Sequence, residues 1–200
     1  MSLDIKKTLQ QEFNSFKTPP TKEVAPVPQV GAQAPESPQL ILPRDKPSII
    51  FFLRHCGCAF AEKAFRSLTK FSYKHPEIHC VAVSHSSREA TDAWVVQVGG
   101  EWEVDVVVDE GRDLYAQWGL GLSSYWHTMG PKAVYSAYRL GVDEGVWNRA
   151  TESGSRWQTG GAFAVDENGI VKWSQPARNA DDVPDLKQIS EALQPPAPSS

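Results

Sequence analysis

The chain has little cysteine, no long apolar run and no concentration of basic charge, and each shortage removes a class of protein. Three cysteines, Cys56, Cys58 and Cys80, among 200 residues are too few and odd in number for a disulfide framework. The first residues run through Lys6, Gln10 and Glu12 without the apolar centre of a secretory leader. The expectation is a cytoplasmic protein whose thiols are core fillers, metal ligands or reactive groups. No four Lys or Arg residues are consecutive and the formal net charge is −4, which argues against a nucleic-acid partner. The run richest in bulky apolar side chains, Ser48 to Leu53, is far too short to span a bilayer, so no membrane partner is expected.

What is present suits a single globular domain. An apolar fraction of 40% and a charged fraction of 22% are ordinary for a soluble fold, and the length allows one full core. Tryptophan is abundant: six of the seven lie between Trp94 and Trp157. The middle of the chain is therefore a candidate lining for an aromatic pocket as well as for a core.

Periodicity divides the chain into four parts. Residues 1–16 read as an amphipathic helix, with Ile5, Leu9, Phe13 and Phe16 on one face. Pro19-Pro20 ends it, and residues 17–46 read as a proline-rich connector, extended or mobile. Residues 47–193 carry the core pattern, and residues 194–200 are a Pro/Ser tail. Within the core, Ser48–Leu53 predicts a strand buried on both faces, followed by a helix over Ala59–Tyr73. A strand over Ile78–Ser84, a helix over Ser86–Val98 and a strand over Val104–Val108 come next. A short helix at Leu114–Trp118 precedes an aromatic, partly helical insertion, Ser123–Leu140, broken at Gly130-Pro131. Asp166-Glu167-Asn168-Gly169 between two apolar runs is a hairpin signal, and a last helix spans Val183–Leu193. This order predicts an α/β fold: a central mixed sheet flanked by helices in three layers.

The chemistry concentrates where the first strand turns into the first helix, at Arg54-His55-Cys56-Gly57-Cys58. A cysteine at a helix N-terminus faces unpaired N–H groups and the positive end of the dipole, which favour thiolate, the nucleophilic form. Cys58 has that placement, Arg54 offers a second positive charge, and His55 is a candidate base or hydrogen-bond partner. Cys56 stands open between a resolving thiol and a turn residue. Cys80, in mid-strand, reads as core. A zinc site from His55, Cys56, Cys58 and His79 or His85 lacks standard ligand spacing. His127 is either an acid/base group or a structural histidine. Arg149 and Arg156 flank a glycine-containing loop as candidate anion ligands, and Asp181-Asp182 reads as a helix cap.

The segment Phe51–Ala61 resembles the active-site segment of the peroxiredoxin-like branch of the alkyl-hydroperoxide-reductase and thiol-specific-antioxidant superfamily, a thioredoxin-like fold. Gly31–Pro35 is similar to that branch's opening motif. Trp157–Asp166 with Gly169-Ile170-Val171 resembles its Gly-Gly strand and hairpin, and Ala180–Leu186 its closing motif. On this alignment Cys58 matches the nucleophilic cysteine, Ala59 replaces a proline, and Ala61 stands where many members carry a second cysteine.

The resemblance implies a thiol-dependent oxidoreductase in which Cys58 attacks a peroxide or a disulfide. Cys56 or an external thiol of glutathione or thioredoxin type then regenerates it. No metal or organic cofactor is expected. Arg54, His55, Cys56 and Cys58 are the expected catalytic group, and His127, Arg156, Trp157, Gly160 and Gly161 the expected substrate-binding group. The competing expectation is a fold that has lost redox cycling, since Ala61 supplies no sulfur, and that binds or transforms an apolar small molecule in an aromatic pocket beside Cys58. A third is a partner-binding module that uses the N-terminal helix.

Overall fold

The computed structural model describes residues 10, 13–123, 130–150 and 153–194. Five strands, β1 (Ser48–Phe52), β2 (His79–Ser84), β3 (Val104–Val108), β4 (Gly161–Val165) and β5 (Val171–Pro176), form one sheet in the order β3-β2-β1-β4-β5. The helices are α1 (Ala59–Lys74), α2 (Arg88–Gln97), α3 (Asp113–Gln117), α4 (Pro131–Glu144) and α5 (Leu186–Leu193). β1 pairs parallel with β2 and antiparallel with β4, so it lies at the centre of a mixed sheet. This is the three-layer α/β architecture expected from the sequence.

The unbroken apolar run of β1 exists because both of its faces are covered. Ile49, Phe51 and Leu53 enter a core shared with Phe65 and Leu68 of α1, Trp94 of α2, Leu140 of α4 and Ile189 of α5. Ile50 and Phe52 enter a second core with Leu114, Tyr115, Trp118 and Phe163. The Phe52 ring lies 5.0 Å from that of Tyr115 and 5.8 Å from that of Phe163, both edge-on. The Tyr115 hydroxyl lies 2.6 Å from the Leu53 carbonyl and 2.8 Å from the Val83 carbonyl, and its one proton ties together the ends of β1 and β2. Those ends carry the site.

The connector is extended and fixed along the body. Ala25 N–H donates to the Ala116 carbonyl, and Gly31 N–H to the Val171 carbonyl. Ala34 and Leu40 join the second core. A side chain at Gly119, whose φ is +76°, would meet the Val27 backbone at 2.6 Å. The hairpin is built as its sequence predicts: Gly169 has φ +81°, and the Asp166 carboxylate accepts from the N–H groups of Asn168 and Ile170. Helix α4 starts at the predicted break, with Pro131 in its first turn, and ends on Gly145 at φ +70°. The rest of the aromatic insertion, with His127, and most of the N-terminal helix lie outside the described residues. Among the described residues, no helix is long and apolar enough to cross a membrane.

Candidate active site

Beyond Phe52 the chain leaves the sheet through Arg54 and His55 and turns at Gly57, whose φ of +108° only glycine adopts without strain. Cys58 N–H donates to the His55 carbonyl at 3.1 Å, closing the turn. Cys58 is the N-cap residue of α1, with extended backbone, and its side chain makes no capping bond. The Arg54 guanidinium Nη1 donates to its Sγ at 3.8 Å. The sulfur thus stands beside two sources of positive potential, the helix terminus and the guanidinium. Cys58 is 4% exposed.

Arg54 is itself anchored: its Nη2 donates to the Arg156 carbonyl at 2.9 Å. Beside it runs a narrow cleft of about 30 Å³, walled by Leu53, Phe60, Ala61, Gly160 and Ala180 among others. Ala61, where the resemblance places a second cysteine in many members, is a cleft wall.

Of the expected substrate-binding residues, Arg156 and Trp157 contact the protein's own N-terminal segment. Arg156 Nε donates to the Ser15 hydroxyl at 2.9 Å, and its guanidinium lies 4.7 Å from the centre of the Phe16 ring. Trp157 Nε1 donates to the Phe16 carbonyl at 2.8 Å. The last turn of the N-terminal segment therefore lies on the loop whose backbone holds Arg54. The Gly160-Gly161 pair has a packing reason: a Cβ at Gly160 would stand 2.5 Å from the Phe52 carbonyl, and one at Gly161 3.1 Å from the Gln175 carbonyl. Bare backbone lets β4 close against the end of β1.

His55 and His85 are fully buried behind the turn. Burial holds His55 well below the usual imidazole range, with the charges of Arg54 and Arg156 adding to the effect. Burial likewise lowers His85, to about 4. Both rings are neutral near pH 7. His55 Nδ1 lies 3.3 Å from the Cys56 carbonyl, which can only accept, so the proton belongs on Nδ1. His85 Nε2 lies 3.1 Å from both the N–H and the carbonyl of Ser155.

The two neighbouring thiols have different company. Cys56 Sγ lies 3.6 Å from the Ser84 hydroxyl and 3.9 Å from that of Thr91, and its N–H donates to Ser86. Burial pushes the Cys56 thiol up. Cys80 is in the core as expected, and burial takes its thiol to about 12. All three cysteines are free, and no cluster of three His, Cys, Asp or Glu among the described residues is arranged to hold a metal ion.

The structure adds residues that sequence reasoning missed. Ala59 N–H, the first of α1, donates to Asn148 Oδ1 at 2.9 Å. Arg149 N–H donates to the Gly57 carbonyl at 2.8 Å. The Arg149 guanidinium holds the Glu62 carboxylate with two bonds, of 3.1 and 3.3 Å, and Arg66 approaches the same carboxylate at 2.6 Å. Arg149 had signalled itself as a loop cation. Asn148 and Glu62 carry no local signal, because their partners, Ala59 and Arg149, lie almost ninety residues away in the chain.

Three solved structures share the fold. A peroxiredoxin-like protein from Aquifex aeolicus superposes with a TM-score of 0.58 at 14% identity, covering 87% of this chain and 93% of that one. A thiol peroxidase from Chromobacterium violaceum gives 0.56 at 16% identity, covering 87% and 90%. Peroxidoxin BcpB from Mycobacterium tuberculosis gives 0.51 at 14% identity, covering 83% and 96%. No curated protein sequence matches. The sequence model of a family described as AhpC/TSA antioxidant enzyme matches residues 64–179. That match begins beyond Cys58, so the role of the turn rests on its geometry. It spans more than half of the chain, from α1 through β5, and the chain belongs to the AhpC/TSA antioxidant enzyme family.

Proposed function

We propose that the protein is a thiol-dependent peroxidase with Cys58 as nucleophile. The observation that carries this reading is the Cys58 sulfur at the N-cap of α1, 3.8 Å from the Arg54 guanidinium, in a chain of the antioxidant-enzyme family. The Cys58 thiolate attacks one peroxide oxygen; the S–O bond forms as the O–O bond breaks, and the leaving oxygen takes a proton to depart as water or an alcohol. The resulting sulfenic acid condenses with an external thiol, releasing water and leaving a mixed disulfide. A second external thiol displaces Cys58 and carries away the oxidised pair. The electrons come from that reductant, of glutathione or thioredoxin type, so the cycle asks for no metal or organic cofactor. Cys56, turned toward Ser84 and Thr91 with its thiol pushed up, is a structural thiol in this reading. A cytoplasmic address suits three unpaired cysteines.

The apolar walls beside Arg54 and the burial of Cys58 favour a second reading, a binding scaffold or non-redox enzyme for an apolar small molecule. Graded hydrogen peroxide with a sulfenate trap, read cysteine by cysteine by mass spectrometry, separates the two. The peroxidase reading expects the trap on Cys58 first, and its loss when reduced glutathione or thioredoxin is added. An unmodified Cys58 at peroxide levels that oxidise ordinary thiols promotes the second reading.

A further inference from the structure

A helix leaves its first four N–H groups without internal partners, and the N-cap side chain ordinarily accepts from the second or third of them. In α1 the N-cap residue is Cys58, which makes no such bond. The first N–H, that of Ala59, is taken instead by Asn148 Oδ1 at 2.9 Å. We propose that Asn148 is a positioning residue for Cys58: it completes the cap from outside the helix and fixes the first turn, so that the positive end of α1 stays beside the sulfur.

Asn148 is gripped on both sides. Ahead of it, Val146 is buried in the larger core, and the Trp147 ring covers Gly141 of α4 so closely that a Cβ there would stand 2.4 Å from a ring carbon. Behind it, Arg149 binds the Gly57 carbonyl through its backbone and the buried Glu62 carboxylate through its side chain. The segment thus clamps the nucleophile's turn at Gly57, Ala59 and Glu62. The amide is the fitting group for this task. An aspartate caps a helix equally well, but its charge would oppose thiolate formation at the adjacent residue.

The inference takes Cys58 as the reactive thiol, and its test does not depend on peroxidase activity. Iodoacetamide labelling of Cys58 across pH is read by mass spectrometry in wild type, N148A and N148D, with amide exchange at Ala59 reporting the cap. In N148A the Ala59 amide is expected to exchange about tenfold faster or more, and the labelling midpoint of Cys58 to rise, because the ordered N–H groups are lost. In N148D the amide stays protected while the midpoint rises by about one unit, a rise that shrinks in high salt. Cys80 labelling, unchanged in both, shows that the fold is retained. An N148A midpoint equal to wild type, whatever happens to the amide, overturns the proposal, as does an N148D midpoint that does not move. If peroxide fails to oxidise wild-type Cys58 while these shifts appear, the peroxidase reading falls and the positioning role of Asn148 stands.

Discussion

Cys58 and Cys80 are almost equally removed from water, at 4% and 0% exposure, yet they lie in opposite surroundings. Cys80 is the second residue of β2, where its thiol donates to the Ile78 carbonyl 3.8 Å away, and burial drives its thiol to about 12. Cys58 has a helix terminus on one side and a guanidinium on the other. Burial by itself opposes ionisation of any thiol. In the proposed reading, reactivity is therefore a matter of which groups surround the sulfur, and exposure is a poor guide to it. Cys56 makes the same point from between the two: it is one glycine away from Cys58, but its neighbours are hydroxyls and its thiol is pushed up.

The largest expected effect exchanges oxygen for sulfur at each position. Cys58→Ser should lower peroxide turnover by roughly a thousandfold or more, since an alcohol has almost no anionic form near pH 7. Cys80→Ser should leave turnover within about twofold and cost about 1–3 kcal/mol of stability for an unpaired buried hydroxyl. Steady-state peroxide consumption and denaturant melts measure both. Retention of more than a tenth of the activity by Cys58→Ser would remove Cys58 from the role of nucleophile.

The next step removes the charge and keeps the sulfur. In Arg54→Gln, the pH midpoint for alkylation of Cys58 should rise by about one unit, which lowers labelling at pH 7 by about tenfold. Cys80 labelling should not change. Equal slowing of the two thiols would assign Arg54 to stability rather than to the sulfur.

How much of this was legible in the sequence follows from how far apart the partners lie. The β1 run, the turn to α1, the Asp166–Gly169 hairpin and the break before α4 are written in adjacent residues, and the structure has them where the pattern placed them. The connector was legible only as extended or mobile; its hydrogen bonds to Ala116 and Val171 were not, because a proline-rich stretch carries no sign of the surface it lies on. Arg156 and Trp157 stood out as a cation and an aromatic near a glycine pair. Nothing local showed that Ser15 and Phe16 would meet them, or that Asn148 would complete the cap of α1. Such contacts are set by the assembled fold, and one chain read by itself gives only the residue types.

Behind the turn, a buried imidazole makes stability depend on pH. His85 is held neutral, at about 4 when folded against about 6.5 in an unfolded chain, so between those values the unfolded state binds the extra proton. Its contribution to stability is fully present above about pH 6.5 and is lost as pH falls toward 4, on the order of 2–3 kcal/mol at pH 4. Thermal melts should show that slope, and His85→Gln should flatten it. Because His85 sits under the Cys58 turn, just beyond the end of β2 opposite Cys80, labelling of Cys58 should accelerate before that of Cys80 as the acid limb is approached. Simultaneous acceleration would mean that acid opens the whole molecule at once.

The smallest effect is expected from the N-terminal segment. Ser15 is buried, and with Phe16 it makes three hydrogen bonds to Arg156 and Trp157 and one cation–π contact, whereas Phe13 is 67% exposed and adds little. Deleting residues 1–17 removes these contacts and spares the bonds of Ala25 and Gly31 that hold the connector. The loss in stability should be about 1–2 kcal/mol, because each exposed-side contact is modest and the tether regains entropy. The same deletion frees the loop whose Arg156 carbonyl anchors Arg54, so local opening at the site becomes more frequent. Alkylation of Cys58 should quicken by about two- to threefold at an unchanged pH midpoint, with Cys80 unaffected. If both thiols quicken by the same factor, the segment completes the core, and the two sulfurs would then share one opening reaction instead of having separate ones.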